Sequence, residues 1–134
     1  MLFQYVGPDG LPHPVTSCDV NDYIRAAMGD DFTAKHFRTW GASIVAFETL
    51  AAAPEPIGLK AVLAPVVERL GNTPAIARKS YVHPDLIALA KDRAVQQAWR
   101  TGLALPRATR YLSRAERGLI AFLQNSQVVP ARAA

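Results

Sequence analysis

Residues 33–54 read TAKHFRTWGASIVAFETLAAAP, and this stretch sets the architecture. Thr33 offers a side-chain oxygen to cap a helix start, and Pro54 with Pro56 supplies the stop. Between them Phe37, Trp40, Ile44, Phe47 and Ala51 recur every three or four positions. That spacing predicts a long helix to about Ala53 with those five residues in the core. Working back toward the start, Asp19 is the predicted cap of a helix through Met28, ended by Gly29. Leu2 to Val6 alternates weakly before Gly7-Pro8-Asp9-Gly10, so it is read as a short strand entering a turn, with everything after it helical.

Working forward, a helix is predicted from about Leu59 to Leu70, with Pro65 as a kink or a restart and Gly71 as its end. Thr73-Pro74 opens a short helix toward Tyr81. His83-Pro84 breaks it and starts another, predicted to continue to about Arg100 and close at Gly102. Ser113 and Glu116 stand at capping-box spacing before a last helix that buries Leu119, Ile120 and Leu123. From about Gln124 the composition turns tail-like. The expected organisation is therefore one mostly α-helical domain over 1–125 with a small amino-terminal β remnant, and a disordered tail over 126–134.

The chain has 134 residues, half of them apolar, which suits one domain with a modest core. No run of about 18 uncharged apolar residues occurs and Met1 to Val6 lacks a signal-like pattern, so a cytoplasmic protein without a membrane partner is expected. The single cysteine, Cys18, has no second thiol for a disulfide or a zinc site, and no carboxylates cluster at metal-ligand spacing. The net charge of +4 is unevenly spread. Residues 1–32 hold one basic and five acidic side chains, a balance of −4, which leaves +8 for the rest. Such an asymmetry fits a surface facing polyanionic DNA.

Two segments concentrate polar and cationic residues at helix ends, where free backbone N–H groups favour a phosphate. One is Thr33 to Trp40; the other is Leu70 to Pro84, reading LGNTPAIARKSYVHP. Taken singly, Arg38 reads as a surface arginine and Tyr81 as a core tyrosine. Taken together, Asp31 to Trp40 resembles the arginine segment of the type IB DNA topoisomerases, in particular their compact bacterial members, and Leu70 to Pro84 resembles their tyrosine segment. The resemblance spans roughly residues 2–95.

This resemblance implies a helical catalytic domain of the type IB topoisomerase and tyrosine recombinase kind. It makes Tyr81 the nucleophile that forms a 3′-phosphotyrosine bond and releases a 5′-hydroxyl strand. Arg38 would contact one nonbridging oxygen of the scissile phosphate. Asn72, nine positions before Tyr81, would donate to the other, where viral and larger eukaryotic-type members use histidine. Lys35, Arg78 and Lys79 flank the site as candidate DNA contacts. The implied reaction relaxes supercoils in double-stranded DNA and needs neither metal nor ATP, because the tyrosyl ester conserves the phosphodiester bond energy.

The family pattern also includes a second arginine and a general-acid lysine on an upstream hairpin, and these have no counterpart in the 134 residues. Lys35 lies one helical turn before Arg38, where the recombinases carry histidine, and is not assigned as that acid. The expectation is a topoisomerase fragment incomplete by itself, monomeric, nucleoid-associated, and a natural partner for the missing amino-terminal part. The alternatives are a non-catalytic DNA-binding remnant and a tyrosine recombinase catalytic domain.

Overall fold

A computed structural model describes residues 3–128. The described residues are mostly helical, with one two-stranded sheet, and none of their helices is long and apolar enough to cross a membrane. By their contacts the residues group into two units, divided between Phe37 and Arg38.

The first unit opens with a hairpin. Strand β1 (Gln4–Val6) pairs antiparallel with β2 (Pro12–Pro14) in the register Gln4↔Pro14, Tyr5↔His13 and Val6↔Pro12. The second strand departs from the expectation of helix after Val6. Prolines at both of its ends leave His13 as the sole residue of β2 able to donate a backbone hydrogen bond, a composition that pattern reading takes for a loop. The connecting turn is held by the Asp9 carboxylate, which accepts from the Leu11 N–H at 3.0 Å and bonds His13 Nε2 at 3.0 Å. Gly10 takes a φ of 75°, where a side chain would be strained. The His13 bond, aided by the Leu11 amide, holds the Asp9 carboxyl below its ordinary value.

Helix α1 (Ser17–Met28) is capped by Thr16 rather than Asp19. Asp19 is the reciprocal partner: its carboxylate accepts from the Thr16 N–H at 2.9 Å, while its own N–H donates to Thr16 Oγ1 at 3.2 Å. Helix α2 (Ala34–Ala52) begins similarly, with His36 Nδ1 accepting from the Thr33 N–H at 3.0 Å. Imidazole thus does there what a glutamate does in the usual capping box. Phe37, expected in the core, is 53% exposed, because the apolar stripe becomes buried only one turn later.

The second unit holds the core. Ala42, Ala46, Phe47 and Leu50 of α2 pack with Val62, Leu63 and Val66 of α3 (Leu59–Leu70), with Leu86, Leu89 and Ala90 of α5 (Pro84–Lys91), and with Leu119 of α7 (Arg114–Val128). Each fully buried Leu or Phe contributes roughly 1.5–3 kcal/mol by leaving water. Pro65 stands inside α3 without ending it. Phe47, Trp99 and Phe122 form an aromatic trio with centroid separations of 5.7 to 6.3 Å. Gly118 permits this approach, since a Cβ there would lie 2.7 Å from Leu105 Cδ2 and 3.0 Å from the Phe47 ring.

The helix predicted from Pro84 to Arg100 is two helices. Asp92 interrupts it, ending α5 and capping α6 (Arg93–Thr101) by accepting from the Val95 N–H at 3.1 Å. The break turns Gln96 fully inward, where its amide accepts from the Ile57 N–H at 2.8 Å and donates to the Ile57 carbonyl at 2.9 Å. One side chain thereby satisfies both backbone groups of a loop residue, as a strand partner would. Gln96→Leu is expected to destabilise the protein by about 2–4 kcal/mol, because two backbone groups lose their partners. In urea unfolding the midpoint should fall at unchanged slope, while exposed Gln97→Ala stays within about 0.5 kcal/mol. Ser113 caps α7 by accepting from the Glu116 N–H. That helix continues to Val128, past the predicted tail boundary, and the rest of the predicted tail, 129–134, lies outside the described residues.

Candidate active site

The site lies in the second unit, and its geometry starts from how α3 ends. Gly71 adopts a left-handed φ of 73°, and its N–H closes on the Val67 carbonyl at 2.8 Å. This turn releases Asn72 next to the helix end and leads into Thr73, whose hydroxyl oxygen accepts from the Ile76 N–H at 3.3 Å. Pro74 follows at the first position of α4 (Pro74–Ile76), where its missing N–H costs nothing. The chain then widens into a π-turn over Ala77–Tyr81, closed by a bond of 2.9 Å from the Val82 N–H to the Ala77 carbonyl. Such turns occur mostly as single insertions in helices and frequently at functional sites. Tyr81 is the last residue of this one.

Arg38 reaches this region from α2. Its Nη2 donates to the Leu70 carbonyl and to Asn72 Oδ1, both at 3.2 Å, and its Cζ stands 5.2 Å from the centroid of the Tyr81 ring. The Leu70 carbonyl belongs to the last turn of α3, where orphan carbonyls concentrate negative partial charge that suits a cation. Arg38 is exposed and Tyr81 half-buried, so the cluster is open to solvent on the arginine side. Because Asn72 Oδ1 receives the arginine, the orientation of the amide is fixed by its partner. Its Nδ2 is buried and has no hydrogen-bond partner among the described residues. An unpaired buried donor costs on the order of 1–3 kcal/mol, so this group is primed to accept a partner.

Beside the cluster, Tyr81 lines a cleft of about 420 Å³ together with Thr39, Arg78, Lys79, Ser80 and His83. Of the six residues singled out from the sequence, Arg38, Asn72 and Tyr81 meet directly, and Arg78 and Lys79 share the cleft with Tyr81. Lys35 lies in the first turn of α2, exposed, in the first unit. Ser43, not among those six residues, is buried on α2 and bonds the backbone on either side of Val82. Its signal was a lone hydroxyl among Ala42, Ala46 and Phe47 on an otherwise apolar stripe.

The family model described as "Eukaryotic DNA topoisomerase I, catalytic core" matches residues 2–99. The chain belongs to this topoisomerase I family. The DNA topoisomerase 1B of Acanthamoeba polyphaga mimivirus is 32% identical to it over 95 residues, an alignment that takes in 60% of this chain and 28% of that protein. The chain thus spans 28% of the length of that relative. Arg38, Asn72 and Tyr81 all fall inside the stretch matched by the topoisomerase model, whereas α7 and the arginine-rich segment before it, with Arg107 and Arg110, fall outside.

Proposed function

We propose that this chain carries the nucleophile and two phosphate-binding groups of a type IB topoisomerase that relaxes supercoiled DNA by nicking, swivelling and rejoining one strand. Tyr81 Oη attacks a phosphodiester; the bond to the tyrosyl oxygen forms as the bond to the 5′-oxygen breaks, leaving a 3′-phosphotyrosine and a 5′-hydroxyl end. Reversal reseals the strand without ATP. The observation that carries this reading is the meeting of Arg38, Asn72 and the Tyr81 ring in one open cluster.

Charge builds on the nonbridging oxygens as the phosphorus gains its fifth ligand, and donors aimed at those oxygens stabilise the transition state most. Arg38 supplies a planar fork that matches phosphate geometry. On phosphate entry its bond to Asn72 Oδ1 is exchanged for one to an oxygen, and the freed amide turns Nδ2 outward to donate to a second. The asparagine at this position supports the compact bacterial subgroup. Arg78 and Lys79, exposed at the cleft beside Tyr81, contact flanking phosphates. Lys35 is proposed as a further phosphate contact. The working unit is a monomer on nucleoid DNA that cooperates with an amino-terminal part of the enzyme.

No side chain among these 134 residues is assigned to protonate the departing 5′-oxygen, which makes the leaving group the natural probe. With a duplex bearing a 5′-bridging phosphorothiolate, the thiolate leaves without a proton. The protein is expected to form a covalent adduct with this duplex, seen as a shifted band on a denaturing gel, and far less with the ordinary diester, since such proton transfer contributes about 10²–10⁴ in rate. Salt-sensitive duplex binding with no adduct on either substrate would instead favour a non-catalytic DNA-binding remnant. Adduct formation confined to paired specific sites would favour a recombinase.

A further inference from the structure

We infer that Ser43 is a positioning residue for Tyr81, an inference that rests on the function proposed above. Ser43 is 3% exposed. Its hydroxyl donates to the Tyr81 carbonyl at 3.5 Å and accepts from the His83 N–H at 3.1 Å. These two backbone groups are the ones the local fold leaves over. The Tyr81 carbonyl stands at the end of the π-turn, and His83 is the cap of α5, ahead of its hydrogen-bonded ladder. Val82 between them is buried and gives its own N–H to the π-turn closure at Ala77.

A hydroxyl both donates and accepts, so this one side chain closes both gaps. No alanine, valine or leucine at the same place on the stripe could. The consequence is geometric. Ser43 and Arg38 are five residues apart on one helix, a rigid rise of about 7.5 Å. The backbone of Tyr81 is therefore fastened to the element that carries Arg38, and the distance between phenol and guanidinium is set by α2 rather than by the loop. Without the hydroxyl, the extra residue of the π-turn is free to redistribute along 77–82, and Tyr81 shifts while the core stays packed.

The test compares Ser43→Ala with Val66→Ala, a core truncation on α3 that costs stability without removing a hydrogen bond from the tyrosine segment. Adduct formation on the phosphorothiolate duplex is followed in single turnover at saturating DNA, with duplex affinity and amide hydrogen exchange measured on the same proteins. Ser43→Ala is expected to lower the single-turnover rate by about 10²-fold, the effect of a displacement near 1 Å. Its duplex Kd should stay within about twofold, because the phosphate-contacting side chains are intact. Exchange at the His83 amide should rise by about tenfold with the loss of one hydrogen bond, while α3 amides are unchanged. Val66→Ala, scaled to its folded fraction, should keep the wild-type rate. A Ser43→Ala rate equal to wild type, or lowered no more than that of Val66→Ala, overturns the inference. Absence of any adduct with the wild-type protein removes the functional reading and the positioning role together. His83 exchange then reports separately whether the hydroxyl holds this backbone, so the two failures are told apart.

Discussion

Tyr81→Phe is expected to eliminate the covalent adduct with the phosphorothiolate duplex altogether. The proposed ester forms through the phenolic oxygen, and removing that one atom leaves no route to the intermediate rather than a slower one. The substitution is conservative in every other respect. The ring remains for Arg38 to stack on, a contact worth about 0.5–1 kcal/mol at an exposed site, and the hydrogen bonds of Ser43 go to the backbone on either side of Val82, not to the phenol. Thermal unfolding should therefore move little. Duplex affinity should also be kept, since the proposed DNA-contacting cations Arg38, Arg78 and Lys79 are untouched. An adduct that survived in Tyr81→Phe would have to sit on another nucleophile, with Tyr5, Tyr23 and Tyr111 the obvious positions for peptide mapping. That result would sink the assignment of Tyr81.

Arg38→Ala is expected to give the second largest effect, a fall of about 10²–10³ in adduct formation, the usual cost of deleting one donor from a preorganised anion site. The loss should appear in the single-turnover rate at saturating DNA, because the guanidinium interacts most strongly when charge has built up on the phosphate. Arg38→Lys should recover a minor part, since an ammonium restores the charge but not the planar fork. Stability should change by less than about 1 kcal/mol, as the bonds Arg38 makes to Leu70 and Asn72 are on the exposed side of the helix. If the whole deficit of Arg38→Ala vanished at high DNA concentration, Arg38 would be a binding contact and its proposed role at the scissile phosphate would be wrong.

Much of the fold is legible in the sequence because periodicity and punctuation agree. The stripe containing Trp40, Ile44 and Phe47, the Gly71 stop and the Thr73-Pro74 start each have a local physical cause, and each is found where the spacing puts it. The misses share a different character. Pro12 and Pro14 are breakers by local rules, yet a three-residue edge pairing tolerates them. Asp92 interrupts a run with helical composition because its side chain gains a cap while Gln96 gains Ile57, a partner 39 residues away. Phe37 has the right spacing but stands before the buried part of its helix.

The candidate site divides in the same way. Arg38, Asn72 and Tyr81 stand out through their resemblance to a family pattern. Their resting contacts do not, because those depend on the Leu70 carbonyl and on which amide atom faces the guanidinium. The π-turn is equally silent in LGNTPAIARKSYVHP, where nothing local separates five residues per closure from four.

The resting partners of Arg38 also bear on selectivity. A guanidinium that already faces a backbone carbonyl and an amide oxygen at 3.2 Å is occupied by surrogates of its ligand. An incoming anion gains the difference between its own bonds and these, not the whole of them. A passing chloride, a single charge without a second oxygen for the fork, gains little in that exchange. A phosphate approaching five-coordination, with charge spread over several oxygens, offers considerably more. On the function proposed above, the built-in competitor acts as a threshold that favours the reacting phosphate over weaker anions.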